Sequence, residues 1–412
     1  MALARSSELI KNVIYKAEQQ DAYSGRVPVY TGEFWTARQR QMHPLHYSVS
    51  YRASFKPELP DFFIQRLLSN INGPLVMLDP FGGRGTTILQ ANLRGHIGYY
   101  NDRNPVSGFL ARARQHIPDL KQIEERLQQI KLDPTDDSLR TVADDERLLP
   151  FFHPGTLNEI LQLRRELLQD KNRKDAALQY IGLAALSRLH GHSGGFFSVY
   201  SFPQISILPA RQALSNQKRN QQPEYRPIRP RIWKKICADL SKPLPARYNS
   251  LAAQNAYWQD DARHLKQCPA GVVDLIVTSP PFLDKVNYYD DNWMRSWFLG
   301  REGQISKQDL TMTPHLDEWL RFMQSVMQEM GRVLKPGACA VIEVGEVVYR
   351  NSVIHLEKEL AGMLPLKVTG GHLEASEIFI HTQEFTKLAN CWDVSNNSKG
   401  TNTNRCLVIR KL

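Results

Sequence analysis

Short apolar runs alternate with longer amphipathic stretches along most of this chain. The apolar runs are typical of buried strands and lie at residues 75–78, 97–100, 273–278, 339–344 and 406–409. Apolar residues with helical spacing lie between them, at residues 60–69, 86–93, 120–130, 157–168 and 317–334. This alternation predicts an α/β fold.

The strand pattern is interrupted in the middle of the chain. Between residues 114 and 247 helical, acidic and basic segments follow one another without a strand signal, and the α/β pattern resumes at Tyr257. We therefore expect an inserted, mainly helical or irregular subdomain at residues 115–249. The α/β domain would comprise residues 45–114 and 250–412, after an N-terminal extension at residues 1–44.

Composition excludes several classes of protein. The 412 residues are 42% hydrophobic, with ordinary glycine and proline contents, which excludes a disordered or collagen-like chain. No apolar run reaches the roughly 18 residues of a membrane span. Residues 1–20 lack a secretory pattern, so we expect a cytoplasmic protein with no membrane partner. Isolated cysteines and unpaired histidines predict reduced thiols and no bound metal.

Most of the net positive charge lies in one segment. The whole chain carries +10, and residues 211–247 hold ten basic residues against two acidic ones. Five prolines in this segment predict an extended or loop-like conformation. Its charge suits contact with phosphates, and a solvated basic linker is the alternative. The candidate phosphate-binding residues are Arg211, Lys218, Arg219, Arg226, Arg229, Arg231, Lys234 and Lys235.

A glycine-rich turn, DPFGGRGTT at residues 79–87, joins the first apolar run to a helical pattern. Its glycines let a ligand approach the backbone, and its two threonines can cap the helix whose amide groups face that ligand. A dinucleotide fingerprint would need a further glycine in the GxGxxG spacing, and a P-loop would end in Gly-Lys-Ser/Thr. The sequence has neither, so the turn is of another ligand-binding kind.

Two other motifs follow predicted strands. Asp102 lies about 20 residues after the glycine turn, where an acid can hold the hydroxyl groups of a ribose. An ordinary Asp-x-Asn-Pro turn is the alternative there. Residues 279–282, with the sequence SPPF, end the apolar run at 273–278. Two prolines at a strand end fix the backbone and leave carbonyl groups outside the sheet.

Together these motifs resemble those of the S-adenosylmethionine-dependent amino-methyltransferases of DNA, which act on N4 of cytosine or N6 of adenine. Residues 79–87 are similar to the family's cofactor motif, DPFxGxGTT, and residues 279–282 to its catalytic motif, (S/N/D)PP(Y/F). Residues 50–57 are similar to the segment that closes over the methionine end of the cofactor. Residues 260–263 are similar to a GDAR-type adenine contact in which Asp260 replaces glycine.

The resemblance implies a Rossmann-like methyltransferase fold with a mixed, mostly parallel sheet. It also implies S-adenosyl-L-methionine as the cofactor, without a metal, and Asp102 at the position that holds the ribose. The residues expected to bind the cofactor are Phe55, Lys56, Pro57, Asp79, Pro80, Phe81, Gly83, Gly85, Thr86, Thr87, Asp102 and Asp261.

Catalysis by such an enzyme would depend on the SPPF motif. The exocyclic amine of a base is a poor nucleophile, and hydrogen bonds to Ser279 Oγ and the Pro280 carbonyl would favour a pyramidal nitrogen that attacks in line. The expected catalytic residues are Ser279, Pro280, Pro281 and Phe282. A flipped base would stack on Phe282, with Tyr288 or Trp293 as further walls. Trp297 and Phe298 are expected to pack in the core.

Two features bear on the target base. Serine in the catalytic motif is typical of the cytosine-N4 enzymes of the family, whereas aspartate is usual in the adenine-N6 enzymes. The order of motifs here, cofactor before catalytic, is met more often among adenine enzymes. We therefore expect a cytosine-N4 methyltransferase, with adenine N6 as the alternative. An RNA amino-methyltransferase and a non-enzymatic DNA-binding module are the other hypotheses.

Target recognition is expected in the insertion, because few residues remain after Val348. There residues 191–197 offer a flexible, partly apolar loop, and residues 211–247 offer the phosphate-binding charge. Neutralising Arg226, Arg229 and Arg231 should then weaken binding to duplex DNA. We expect the protein to belong to a restriction system with a cognate endonuclease, or to be a solitary methylase. The sequence does not give the recognition site or the oligomeric state.

Overall fold

A sheet of ten strands forms the centre of the protein. The computed structural model describes residues 15–19, 27–35, 41–69, 72–202, 205–281, 286–310, 313–382 and 403–412. The strands of the sheet are β1 (Tyr15–Gln19), β2 (Pro28–Gly32), β3 (Val76–Asp79), β4 (Ile97–Asn101), β5 (Ala256–Trp258), β6 (Val273–Thr278), β7 (Leu334–Val344), β10 (Leu366–Val368), β11 (Gly371–Thr382) and β12 (Thr403–Lys411). Strands β8 (Glu346–Tyr349) and β9 (Ser352–His355) form a separate hairpin.

The strand order explains where a ligand can bind. The order is β1-β2-β11-β12-β7-β6-β3-β4-β5, with β10 beside β11. Strands β7, β6, β3, β4 and β5 are parallel, and β12 lies antiparallel against β7. The chain builds outward from β3 through β4 to β5 and then returns to add β6 and β7 on the other side. This reversal creates a switch point at the carboxyl ends of β3 and β6, where open α/β sheets bind ligands.

Helices cover the sheet and form most of the region between β4 and β5. They are α1 (Glu58–Leu68), α2 (Thr86–Leu93), α3 (Pro105–Arg112), α4 (Leu120–Gln129), α5 (Val142–Leu148), α6 (Pro154–Leu168), α7 (Ala176–Leu186), α8 (Pro209–Arg219), α9 (Ile228–Asp239), α10 (Tyr248–Ala252), α11 (Trp293–Phe298), α12 (Lys307–Leu310), α13 (Leu316–Val333) and α14 (Leu356–Ala361). The predicted Rossmann-like α/β fold with a mixed, mostly parallel sheet is confirmed.

Two large hydrophobic clusters among the described residues pack helices against the sheet. One joins α13 to the sheet, and Trp319, Met323 and Met327 of that helix are fully buried in it. The other joins α1, through Phe63 and Ile64, to side chains of β3, β6, β7, β11 and β12. Because α13 buries residues at a helical spacing while its remaining positions are exposed or half-buried, its amphipathic pattern was predictable from the sequence.

A third hydrophobic cluster belongs mainly to the helical region between β4 and β5. It includes Phe151 and Phe152, and the buried side chains of Trp297 and Phe298 on α11 pack into it, as expected for those two residues. The part of the chain described here contains no helix that is both long enough and apolar enough to cross a membrane.

The expectation of an extended or loop-like segment at residues 211–247 is wrong, because α8 and α9 occupy much of it. Pro209 is in the first turn of α8, and Pro230 in the first turn of α9, where backbone N–H groups have no acceptor within the helix. Ile228, Ile232 and Ile236 are spaced four residues apart and bury one face of α9. The prolines therefore start helices here and do not prevent them.

The N-terminal segment contributes to the same sheet. Strand β2 lies parallel to β11, with Val29 opposite Ile378, and β1 lies antiparallel to β2. Trp35 follows β2, and its ring stacks on that of His381 at a centroid distance of 4.0 Å. Residues 28–35 therefore pack against the carboxyl end of β11.

Candidate active site

A cavity of about 410 Å³ opens at the switch point of the sheet. It lies at the carboxyl ends of β3, β4, β5 and β6, and it has a volume typical of a small-molecule site. The predicted site residues that line it are Phe55, Pro80, Phe81, Gly83, Thr86, Asp102, Asp261, Ser279 and Pro281. The fold thus brings two motifs that are almost 200 residues apart in sequence to one cavity.

The glycine-rich turn forms one wall of the cavity. Gly83 and Gly85 have positive φ angles of 48° and 78°, which favour glycine. A Cβ atom at Gly82 would lie 2.2 Å from the buried ring of Tyr100. The amide of Gly82 donates to the Asn101 carbonyl over 2.8 Å, so the turn rests on the end of β4. Glycine is therefore required here by packing against Tyr100 as well as by backbone conformation.

Asp79 lies beneath this turn and does not line the cavity. Its Oδ1 accepts hydrogen bonds from Thr278 Oγ1 at 2.6 Å and from the Phe81 amide at 3.1 Å. Its Oδ2 is buried, and no donor among the described residues lies in hydrogen-bonding geometry with it. Burial raises the pKa of Asp79 from 3.8 to about 7, against the opposing effect of the Thr278 hydrogen bond.

Thr87 and Gly85 also act behind the cavity wall. The buried hydroxyl of Thr87 donates to the Val277 carbonyl over 2.9 Å, which ties the first turn of α2 to β6. The N-terminus of α2 begins at Thr86, which lines the cavity itself. Of the residues expected to bind the cofactor, Asp79, Gly85 and Thr87 therefore shape the turn, and Gly83 and Thr86 face the cavity.

Asp102 lines the cavity at the end of β4. Its two carboxylate oxygens accept from the amides of Gly83 and Asn104, each over 2.8 Å. Burial raises the pKa of Asp102 from 3.8 to about 6, although both amide hydrogen bonds oppose this rise. The carboxylate fixes the glycine-rich turn relative to β4, because it accepts from the Gly83 amide. Asp102 therefore both lines the cavity and supports the turn that forms one of its walls.

Asp261 is held between two arginines at the cavity wall. Arg263 donates to it from Nε at 3.0 Å and from Nη2 at 2.7 Å, and Arg103 donates over 3.0 Å. The Arg263 hydrogen bond is the main reason that the pKa of Asp261 falls from 3.8 to about 2. Sequence reasoning missed Arg103, because only the fold places the end of β4 beside the loop after β5.

The neighbouring Asp260 is fixed by a side chain of β4. Asn101 accepts from the Asp260 amide over 2.7 Å and donates to its carbonyl over 3.0 Å. Oδ2 of Asp260 is buried and has no hydrogen-bond partner within the part of the chain that the structure describes, although the residue lines the cavity. Asp260 therefore keeps the loop in place through its backbone, in the position where the family motif has glycine.

Ser279 and Pro281 follow β6 and line the cavity, whereas Pro280 is buried and does not line it. The carboxylate of Glu343 on β7 is the neighbour of Ser279. That carboxylate is buried and accepts from Asn404 Nδ2 over 2.8 Å. Burial raises the pKa of Glu343 above its usual value, while Ser279 and Asn404 lower it. Phe282 lies outside the described residues.

Glu343 is a second residue that sequence reasoning missed. It lies near the end of the apolar run at 339–344, where its only signal is a charged residue among strand residues. The backbone after Ser279 is fixed in turn by α13, because Trp319 Nε1 donates to the Pro281 carbonyl over 2.9 Å. The motif residues are thus held by β7, β12 and α13.

Aromatic side chains close the side of the cavity next to the helical region. Tyr51 and Tyr288 line it, with near-parallel rings 6.1 Å apart. The Tyr51 hydroxyl accepts from Asn104 Nδ2 and Ser107 Oγ. Tyr288 is therefore a cavity wall, as expected, and Trp293 lines a smaller adjoining cavity of about 60 Å³. Lys56 and Pro57 do not line the main cavity, and Pro57 is the N-cap residue immediately before α1.

Several of the candidate phosphate-binding residues have partners within the protein. Arg226 donates to the carbonyls of Phe196 and Ser198. Arg231 donates to the carbonyls of Gly194 and Pro227 over 3.0 and 2.9 Å. These two arginines therefore hold the loop that contains residues 191–197.

Arg229 and Lys235 are also structural. Arg229 donates to the carbonyls of Leu127 and Ile130 at the C-terminus of α4, where the last carbonyls have no donor within the helix. Lys235 is buried and pairs with Asp239, and it donates to the Tyr47 carbonyl over 2.9 Å. The structure contradicts a phosphate contact by Lys235, because its ammonium is not accessible. The exposed candidates are Arg211, Lys218, Arg219 and Lys234.

Part of this chain matches a known protein family. Residues 273–399 match the family model for DNA methylases, N6_N4_Mtase. The match begins at β6 and includes Ser279 and Glu343. A search of curated proteins gives no match.

The chain is also similar to solved methyltransferase structures. TrmN from Thermus thermophilus is 12% identical, with 88% of this chain and 50% of that chain covered and a TM-score of 0.33. A second Thermus thermophilus protein, described as a DNA modification methylase and solved with S-adenosyl-L-methionine, is 24% identical over 37% of this chain and 53% of its own, with a TM-score of 0.23. This chain spans about half the length of both. The 16S rRNA (adenine(1408)-N(1))-methyltransferase from Catenulisporales acidiphilia is 14% identical over 44% of this chain and 73% of its own, with a TM-score of 0.20.

Proposed function

We propose that this protein transfers a methyl group from S-adenosyl-L-methionine to the N4 amine of cytosine in duplex DNA. The observation that carries the proposal is the position of Ser279. It lines the cavity at the carboxyl end of β6, in the same cavity as the glycine-rich turn and next to the buried Glu343. The match of residues 273–399 to DNA methylases supports methyl transfer to an amine of DNA.

The cavity fits the proposed cofactor. Gly82 lets the turn pack directly on Tyr100 because it has no Cβ, and the N-terminus of α2 presents amide groups toward the cavity. Asp102 and Asp261 supply acceptors for ribose and adenine groups, and Phe81 supplies an apolar surface. When bound, the cofactor supplies an electrophilic methyl group on a positively charged sulfur. The residues that would hold it are Phe55, Pro80, Phe81, Gly83, Thr86, Asp102 and Asp261.

The Ser279 hydroxyl would act on the target amine as an acceptor. In this proposal its own hydrogen is directed to the neighbouring Glu343 carboxylate, which leaves the oxygen lone pairs available for an N–H of the base. The Pro280 carbonyl is the second acceptor in this proposal. Two acceptors on one NH₂ group reduce conjugation of its lone pair with the ring and orient that pair for attack. Glu343 is thus a positioning residue, which sets the direction of the Ser279 hydroxyl.

A base stacked in a duplex cannot reach this cavity, so the proposal includes base flipping. Tyr288 lines the cavity and offers an aromatic wall for the flipped base. Phe282 is the expected stacking partner from the sequence motif. The separation of a catalytic part, residues 45–114 and 250–412, from a target-recognition part, residues 115–249, belongs to the same proposal.

Cytosine is proposed over adenine because serine precedes the two prolines. A serine hydroxyl offers lone pairs and needs an acceptor for its hydrogen, and the neighbouring Glu343 carboxylate is that acceptor in this proposal. Aspartate in this position would place a second carboxylate beside Glu343, which is unfavourable for two buried acids. The pair of Ser279 and Glu343 is therefore consistent with the serine form of the motif.

The test is methylation of plasmid DNA in a host that lacks DNA methylases. Single-molecule sequencing and mass spectrometry of the nucleosides should show N4-methylcytosine in one sequence context. Ser279→Ala should abolish the modification, whereas Ser241→Ala, which removes an exposed hydroxyl bonded only to the Ala238 carbonyl, should not. Detection of N6-methyladenine in place of N4-methylcytosine would identify adenine, and not cytosine, as the target base. Methyl transfer to RNA and not to DNA would overturn the proposed substrate.

A further inference from the structure

Helix α8 has an outer face with exposed apolar residues. Leu208 and Leu214 are 61% and 65% exposed, and Tyr200, beside the helix, is 38% exposed. Nine large hydrophobic side chains are exposed among the residues that the structure describes, and three of them lie on or beside α8. Leu214 is within the helix, Leu208 immediately precedes it, and the Tyr200 carbonyl accepts from Gln212 of the helix. A cluster of exposed apolar residues is typical of a surface that contacts a partner, whereas exposed apolar residues without such a role are usually scattered singly.

The same face is positively charged. Arg211, Lys218 and Arg219 are exposed, and the sequence of α8 contains no acidic residue. The guanidinium of Arg219 lies 3.8 Å from the centre of the Tyr200 ring, which joins the charged and apolar parts. We refer to Tyr200, Leu208, Arg211, Leu214, Lys218 and Arg219 as the α8 face.

The opposite side of α8 is anchored by amide side chains. Gln212 is fully buried and donates to the Tyr200 carbonyl over 3.0 Å, and Asn216 donates to the Pro150 carbonyl over 2.7 Å. Gln221, just after the helix, donates to the Tyr200 carbonyl and to Asn216. These bonds fix the rotation of the helix about its axis, so the α8 face is presented in one orientation.

The start of α8 is linked to the wall of the active-site cavity. The Ser206 amide donates to the Asp291 carbonyl over 2.8 Å, and Trp293 Nε1 donates to the Ile207 carbonyl over 3.1 Å. Asp291 in turn accepts from Arg52, which lines the cavity. The helix therefore begins close to the segment that follows the catalytic motif.

We propose that the α8 face docks in the major groove of the DNA duplex next to the target base. This inference rests on the proposed function, and it adds the surface that would recognise the DNA sequence around the target base. An eleven-residue helix is about 16 Å long, and the major groove of about 12 Å admits one helix. Arg211, Lys218 and Arg219 complement the phosphates on the groove walls, and Leu214 contacts a thymine methyl group on its floor.

The first experiment measures binding to a duplex that the wild-type protein methylates, as a function of salt. The triple variant R211Q/K218Q/R219Q should reduce the slope of log K against log salt by about 2 to 3, because each lost phosphate contact lowers it by about 0.9. The matched control K131Q/K171Q/K174Q removes the same charge from exposed lysines elsewhere in the helical region. Binding of S-adenosyl-L-methionine should be equal in all three proteins, which also shows that they fold.

The second experiment tests the groove contact with Leu214→Ala. Methylation of a randomised oligonucleotide pool should show a loss of preference of roughly fivefold or more at one position of the recognition site, as expected for one lost base contact. Equal salt slopes for the triple variant and its control would overturn the docking proposal, while wild-type methylation of the duplex would leave the proposed function standing. An unchanged site preference in Leu214→Ala would overturn the major-groove contact. Binding of the wild-type protein to an RNA stem and not to DNA would overturn both the docking proposal and the proposed function.

Discussion

The hydroxyl of Thr278 donates a 2.6 Å hydrogen bond to Oδ1 of Asp79, and this bond joins the ends of two neighbouring parallel strands. Asp79 begins the glycine-rich turn, and Thr278 immediately precedes Ser279. The bond therefore sets the distance between the part of the cavity proposed to hold the cofactor and the part proposed to hold the base. Both residues are buried, so water cannot replace either partner.

Thr278→Val should destabilise the protein by about 1 to 3 kcal/mol, because it leaves a buried oxygen of the Asp79 carboxyl group without this donor. Thr278→Ser keeps the hydroxyl and is the matched control. Urea unfolding of both variants, at a pH below 6, measures the difference. Equal losses in the two variants would show that packing of the threonine methyl, and not the hydrogen bond, is what matters.

Asp79→Asn should remove a pH dependence of stability. Burial raises the pKa of Asp79 to about 7, so the folded protein favours the neutral acid. Stability from this group is present below pH 4 and is lost as the pH rises through 7, by on the order of 4 kcal/mol for a rise of about three pKa units. The free energy of unfolding of wild type, relative to Asp79→Asn, should therefore fall between pH 4 and pH 8. A constant difference across this range would contradict the assignment.

Glu343→Gln should slow methyl transfer by about 10- to 100-fold, and Ser279→Ala by about 10²- to 10³-fold, since each disturbs an oriented acceptor. Neither change should alter the affinity for S-adenosyl-L-methionine. Single-turnover rates and calorimetry separate these effects, and the pH profile of the rate should change in Glu343→Gln only. Glu374→Gln, at an exposed carboxylate that meets His372, is the control. A normal rate in Glu343→Gln would remove its positioning role.

Gly82→Ala should lower both stability and cofactor affinity. Its Cβ would lie 2.2 Å from the buried ring of Tyr100, and moving that ring costs about 1 to 3 kcal/mol. Gly108→Ala is the control, because a Cβ there meets only the end of Arg112, at 4.0 Å, within a helix that favours alanine. Thermal unfolding and calorimetry measure both quantities. Equal affinities in the two variants would mean that the turn tolerates a shift of Tyr100.

Arg229→Ala should destabilise the protein by about 1 to 3 kcal/mol, because it removes donors to two carbonyls at the end of α4. The salt dependence of DNA binding should change little. Arg211→Ala should have the opposite effects, with unchanged unfolding and weaker DNA binding at low salt. If Arg229→Ala lowered the salt slope as much as Arg211→Ala, its role would be in DNA binding after all.

The strands and helices of the sheet were predictable from the sequence where the pattern was strong. Strand β6 and helix α2 lie at the predicted residues, and α13 differs from its prediction by one residue at each end. No pattern indicated that β2, in the presumed N-terminal extension, pairs with β11 some 350 residues later. Such pairing depends on which edge of the sheet is exposed, and short-range patterns do not contain that information.

Charge was the least reliable guide. The ten basic residues between positions 211 and 247 predicted one binding segment, yet the fold divides them by role. Arg226, Arg229 and Arg231 donate to backbone carbonyls, and Lys235 pairs with Asp239 inside the protein. A residue's charge is visible in the sequence, but the acceptor that meets it comes from a distant segment.

The sequence alone determined the α/β fold, the glycine-rich turn and the SPPF motif, because each depends on residues close together in the chain. The tertiary structure decided which of these residues face one cavity and which support it. It placed Asp79 beneath the turn, Arg103 beside Asp261, and Glu343 behind Ser279, since parallel strands bring their carboxyl ends to one edge whatever their separation in sequence.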